Sequence, residues 1–343
     1  MKKGIVIKTD QSNKKSIYLY SILILIFALL PVRLQATQIQ SNSEFTISVE
    51  PFFSLLAGHT SYVLETDSVK SKLEFPINSL IGGVRVDINH GVGSSSTWAF
   101  SLAALTNLSN PFGLMKDHDW YVQSGYPDMK FSYTESEAEH IFIDLSCRAG
   151  RKVFDGENLL LRLYMRYCYQ YLEHIIDNYI GYQYIWNDTL GAFELYTVYN
   201  DGIPALEYSI FYHRPAIGLY GEWRLAKDLS IAADMQAELI YLSDWDDHLL
   251  RNKVSTASGY GLGGGAGFYG TYIFQDSEEG ISSYFSVASN ISYLRAMTEQ
   301  TQGWYGDDPT TEGFNDDGTW IYGIDHLVTS LQFDFSISMG FQY

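Results

Sequence analysis

The last thirteen residues set the tightest limit on how this chain can fold. Leu331, Phe333, Phe335, Ile337, Met339, Phe341 and Tyr343 alternate with Gln332, Asp334, Ser336, Ser338, Gly340 and Gln342. A strict period of two belongs to a strand whose two faces meet different surroundings, because successive side chains point to opposite sides. The same alternation returns in Leu229, Ile231, Ala233, Met235, Ala237, Leu239 and Tyr241, interleaved with Ser230, Asp234, Gln236 and Glu238. It returns again in Leu159, Leu161, Leu163, Met165, Tyr167 and Tyr169, against Arg162, Tyr164, Arg166 and Gln170. Strands of soluble sandwiches usually run about five or six residues, so strands this long need another explanation.

Composition supplies it. The chain holds 27 tyrosines and has a mean hydropathy of −0.09, too aromatic for an ordinary soluble protein and too polar for a bundle of membrane helices. A transmembrane β-barrel accounts for both, with one face of each strand on lipid and the other on a polar lumen, where Arg162, Arg166, Asp234 and Glu238 pair. The terminal aromatic resembles the carboxyl-terminal signal of Gram-negative outer-membrane barrels. Reading strands by this rule gives 44–57, 76–90, 97–107, 138–152, 158–172, 206–223, 229–242, 259–274, 281–294 and 327–343, an all-β, ten-stranded antiparallel barrel. Short turns at 91–96, 153–157, 224–228 and 275–280 then face the periplasm. Long loops at 58–75, 108–137, 173–205, 243–258 and 295–326 face the exterior. A closed barrel leaves no strand edge to pair, which makes a monomer the default.

The amino terminus reads as an address. Lys2, Lys3, Lys8, Lys14 and Lys15 precede an apolar run from Ile17 to Val32, followed by Arg33-Leu34-Gln35-Ala36. This pattern marks residues 1–36 as a signal peptide cleaved after Ala36, with 37–343 forming the barrel. Of the 22 basic and 40 acidic residues, six and one lie in that leader, leaving 16 and 39 and a net charge of −23. So acidic a chain is unsuited to nucleic acid and favours cationic peptide or protein partners, with outer-membrane lipid around the barrel. Cys147 and Cys168 fall in opposite phases of their strands and point to opposite faces, which disfavours a disulfide.

Two acidic clusters fall in the exterior loops. The first is Lys116-Asp117-His118-Asp119-Trp120; the second is Asp244-Trp245-Asp246-Asp247-His248-Leu249-Leu250-Arg251. If these segments extend their strands, Asp117 shares a face with Asp119, and Asp244 with Asp246 and His248. His118 and Asp247 then face the other way and are structural. A carboxylate that orients an imidazole, opposite a carboxylate pair that holds water, suits hydrolysis. In that reading His248 is the base, Asp246 orients it, and one of Asp117 and Asp119 has its pKa raised by the other. Solvated acidic surface and a divalent-cation site are the competing readings. The remaining histidines (His59, His90, His140, His174, His213 and His326) receive no role, and no G-x-S-x-G or H-E-x-x-H motif is present. Glycines at 259, 261, 263, 264, 265 and 267 lie in a membrane strand and read as sites of close packing or curvature.

Asp117 to Trp120 and Asp244 to His248 resemble the two catalytic segments of the omptins, ten-stranded outer-membrane proteases. The likeness extends to Tyr208–Gly221, where Arg214-Pro215-Ala216-Ile217-Gly218-Leu219 is similar to a strand of that family, and more loosely to Gly58–Val63 and Lys72–Ile77. The resemblance implies an endopeptidase at the outer membrane with its active site facing outward. Asp117 and Asp119 would form one pair and Asp246 and His248 a dyad, activating water without a metal. No cofactor is implied beyond lipopolysaccharide as an activating lipid, and the basic residues that would hold it have no clear counterparts. Asp244 matches one of the acids behind the family's preference for basic cleavage sites; at the other's place stands Ser61 or Tyr62. The alternatives are a porin-like or structural barrel without activity and a metal-dependent hydrolase.

Overall fold

The computed structural model describes residues 45–90, 97–122, 128–200, 202–276, 281–311, 313 and 315–342 of the 343. The leader read at 1–36 and the terminal Tyr343 lie outside the described residues. Thirteen strands follow one another: β1 (Phe45–Glu65), β2 (Val69–Pro76), β3 (Ser79–His90), β4 (Trp98–Asn107), β5 (Met115–Tyr121), β6 (Met129–Asp155), β7 (Leu159–Asn187), β8 (Ala192–Tyr199), β9 (Leu206–Arg224), β10 (Leu229–His248), β11 (Lys253–Asp276), β12 (Ser282–Trp304) and β13 (Trp320–Gln342). Ten of them form an antiparallel ring in the order β1, β3, β4, β6, β7, β9, β10, β11, β12, β13. The ring closes where β13 returns to β1, from Ser48 opposite Gln342 to Glu65 opposite Asp325. The other three strands continue ring positions upward: β2 extends β3, β5 extends β4, and β8 extends β9. This is the ten-stranded barrel expected from the alternation.

The exterior segments differ from the sequence reading. Most of the five long loops are strand, and the first narrows to a three-residue turn between Glu65 and Val69. Above the membrane, neither face of a hairpin meets lipid, so the period-two signal fades although backbone pairing continues. The outer wall behaves as the pattern requires: Met165, Met235, Leu262 and Phe268 are 65–72% exposed on the lipid-facing side. Cys147 lies outside and Cys168 inside, both unbridged. Glycine in β9 and β11 permits close approach. A Cβ on Gly218 would collide with the Tyr164 ring, and one on Gly261 with the carbonyl of Arg295.

The interior is filled, and side chains meet across its full width. At membrane level Arg148 of β6 donates to Asp234 of β10 at 3.0 Å. Arg214 grips Glu238 through two bonds of 2.8 and 3.1 Å. The acids are those expected to pair in the lumen, but their partners here are Arg148, which reaches across from β6, and Arg214, a diagonal neighbour on β9. Higher up, Gln170 of β7 and Gln332 of β13 exchange amide bonds of 3.2 and 2.8 Å from opposite walls. Above these the lumen turns largely apolar. Leu56, Phe75, Ile77, Leu172, Ile210 and Leu242 belong to a buried apolar cluster inside the barrel. The Thr60 and Tyr212 hydroxyls hydrogen-bond across it at 2.9 Å. This apolar plug is the floor on which the acidic clusters stand.

Candidate active site

Period-two geometry continues past the plug on β10. Ile240 and Leu242 point inward as part of the floor, so Asp244, Asp246 and His248 point inward above it. Across the mouth, β5 carries Asp117 and Asp119 on its inner face. Asp117 stands in register with Leu73 of β2, and Leu73 with Tyr62 of β1. The three side chains therefore share one level and one face. Tyr62 crosses the mouth and donates its hydroxyl to Asp246 Oδ2. Both predicted clusters thus lie on the same rim, as the strand-extension reading requires. His118 and Asp247 do face away: His118 Nδ1 is 2.7 Å from Lys130 Nζ, and Asp247 accepts from Tyr305 at 2.9 Å.

Within the crevice, Asp246 Oδ2 also receives His248 Nε2 at 3.1 Å, while its Oδ1 is buried without a partner. A neutral imidazole that donates through Nε2 keeps its lone pair on Nδ1. Burial alone would push Asp246 upward, but the neighbouring His248 and the Tyr62 hydroxyl hold it below the usual carboxylate range. Burial lowers His248, opposed by Asp246 and assisted by Lys253 and Arg251. At neutral pH the dyad is therefore a carboxylate and a neutral base.

The opposing pair behaves the other way. Burial and then the charge of Asp119 push Asp117 well above its ordinary value, against the pull of Lys253. Asp119 is raised by burial, with a hydrogen bond from Ser71 and the cations Arg251 and Lys253 opposing. Burial and the neighbouring acid thus favour the protonated form of Asp117, whose Oδ1 is buried without a protein partner. Asp117 senses Asp246, and Asp119 senses His248, across the crevice.

Asp244 lies below the dyad, buried among aromatic side chains. Tyr208 donates to it at 3.5 Å, and His326 Nδ1 approaches to 3.7 Å. Burial and the charge of Asp246 raise it to about 8. Sequence reasoning gave His326 no role, yet Tyr62, Tyr208 and His326 pack their rings about this acid. These residues come from three strands, and in a chain with 27 tyrosines no local pattern marks Tyr62 or Tyr208. Lys253 was also missed. The signal for it was the tight hairpin after His248, which sets Lys253 directly opposite that residue.

Fold and rim together define a class: an outer-membrane β-barrel with an acid-histidine crevice at one mouth. The omptin family model matches residues 45–302, and the chain belongs to that family of outer-membrane proteases. The fold is similar to that of the outer membrane protease OmpT from Escherichia coli, with a TM-score of 0.67 at 15% identity over 90% of this chain and 99% of that one. The translocator domain of autotransporter NalP from Neisseria meningitidis aligns at 11% identity over 94% of this chain and 97% of that one, but with a TM-score of only 0.32. The outer membrane protein OprG from Pseudomonas aeruginosa aligns at 12% identity over 88% and 96% with a TM-score of 0.26. Comparison with curated proteins gave no match.

Proposed function

We propose that the chain is an endopeptidase whose crevice, facing the cell exterior, splits a peptide bond with water activated between the Asp246–His248 dyad and the Asp117–Asp119 pair. His248 Nδ1 takes a proton from water, Asp246 fixes the tautomer and stabilises the imidazolium, and the singly protonated pair holds the water from the other side. The water oxygen bonds to the carbonyl carbon, the carbon–nitrogen bond then breaks, and His248 returns its proton to the leaving amine. The observation that carries this reading is the 3.1 Å bond between His248 and a buried Asp246, in the same crevice as the Asp117–Asp119 pair. The reaction is read as metal-free because Arg251 and Lys253 stand among these acids and would repel a divalent ion.

Residues 1–36 are read as a leader removed on export. The acidic rim draws cationic polypeptides by its long-range field. Asp244 is read as the acid that meets a basic side chain at the cleavage point, with its affinity limited by the proton it holds at neutral pH.

The test is digestion of a mixed-sequence peptide library by refolded protein, with and without lipopolysaccharide and with and without chelator, beside His248→Ala and Asp117→Asn. The expected result is cleavage by the wild type in chelator and its collapse in both variants, with the barrel's heat-modifiable gel mobility retained. Undiminished cleavage by either variant rejects the assignment. Stable conductance in a planar bilayer with no cleavage would make the chain a pore instead.

A further inference from the structure

Lys253 opens β11 immediately after a short 3-10 turn and stands in register opposite His248. Residues paired in this way project from the same face of the sheet, with Cβ atoms ~4.5–5.5 Å apart. Among the described residues Lys253 is the only buried lysine, 7% exposed, and it makes no hydrogen bond or ion pair. Burying a cation without a partner is costly, so such an arrangement calls for a reason.

Three other cations of the rim are engaged. Arg251 is tied to Asp308 at 2.9 Å, and Asp308 is anchored in turn by Thr310 and Trp304. Lys130 is bonded to His118 on the outer face, and Lys72 is paired with Glu74. Lys253 alone among these four keeps its charge uncommitted. The groups that face it are Asp246 on β10, Asp117 on β5, Arg251 in the turn and Asp308 beyond β12, with His248 across the hairpin and Asp119 beside Asp117. Its ammonium therefore interacts electrostatically with both halves of the proposed machinery.

We propose that Lys253 receives the oxyanion formed when water adds to the scissile carbonyl. This rests on the peptidase reading above. As the oxygen of water bonds to carbon, the carbonyl π pair moves onto its oxygen, and the new charge settles beside the ammonium. Lys253 gives up no proton. On collapse the pair returns, the carbon–nitrogen bond breaks, and the amine leaves with the proton from His248, while the Asp117–Asp119 pair takes the proton of the new carboxylic acid. A cation already buried beside the reacting groups needs little reorganisation as that charge develops. Burial and the nearby Arg251 lower Lys253 to about 8, so it is still mostly charged at neutral pH.

The test compares Lys253→Met and Lys253→Arg with wild type in the full refolded chain, on one peptide recovered from the library. Lys253→Met should lower kcat by ~10²–10³-fold with KM little changed, as loss of an oxyanion donor does, and Lys253→Arg should restore part of it. The acid limb of the kcat profile should also move up in Lys253→Met, because the ammonium helps to depress His248. A Lys253→Met kcat within about twofold of wild type would overturn the assignment, and so would a Lys253→Arg variant as impaired as Lys253→Met. Wild-type protein that cleaves nothing would instead remove the peptidase reading and this inference with it.

Discussion

The membrane-level lumen and the rim share β10 and use the same kinds of residue, but they treat charge oppositely. In the lumen Arg214 and Glu238 are buried and satisfy each other through two bonds, and Arg148 takes up Asp234. Such pairs hold the barrel's register and have no capacity left over. At the rim Asp246 and Asp117 each keep one oxygen without a partner, and Lys253 has none. Two acids crowd at Asp117 and Asp119 and disfavour each other's ionisation, and a neutral imidazole faces them. Complete pairing fixes structure; incomplete pairing leaves groups able to change protonation during a reaction.

If that contrast is right, substitutions at the two levels will separate activity from stability. His248→Ala should reduce kcat by ~10²–10⁴-fold, the contribution of a general base, with the urea unfolding midpoint unchanged. A matching loss of stability would erase the distinction. Arg214→Met should do the reverse. It strands Glu238 inside the barrel, at ~3–5 kcal/mol in denaturant unfolding, while kcat on folded protein stays near wild type.

Tyr62→Phe falls between the two levels, since it removes a hydrogen bond to an ionised, fully buried carboxylate. A loss of ~1.5–3 kcal/mol is expected at neutral pH. Because Asp246 is held below its ordinary value of 3.8, that loss should be complete above this range and shrink as pH falls through the folded pKa. A loss that does not vary with pH would show that the tyrosine acts through packing alone. The smallest effect concerns Asp244. With a pKa near 8, its ionised fraction rises roughly tenfold between pH 7 and 9, and preference for a basic over a neutral side chain at the cleavage point should rise by up to that factor. Asp244→Asn should flatten the response; a preference independent of pH in the wild type would remove Asp244 from the pocket.

The same contrast explains what could be read in advance. The membrane half was legible because lipid demands one apolar residue in two, which exposes the outward phase of Leu229 to Tyr241 directly. The inward phase of Asp117, Asp119, Asp246 and His248 followed by extending those strands. The plug beneath them was not legible, since Ile240 and Leu242 continue the polar phase of Asp234 and Glu238 and break the expected pattern only at that height. Tyr62, His326 and Lys253 were hidden for another reason. Their roles depend on register across the hairpins β1–β2, β10–β11 and β12–β13, and these hairpins lie where lipid no longer imposes an alternation.

The most direct measurement follows the oxygen. Digestion of a defined peptide in heavy-oxygen water, read by mass spectrometry after a single turnover, shows where the new carboxylate obtained its second oxygen. Attack by water between the dyad and the aspartate pair predicts one heavy oxygen in each newly formed carboxyl terminus and no such product from His248→Ala. Product carrying only ordinary oxygen, or labelled product formed equally fast by His248→Ala, would contradict the account.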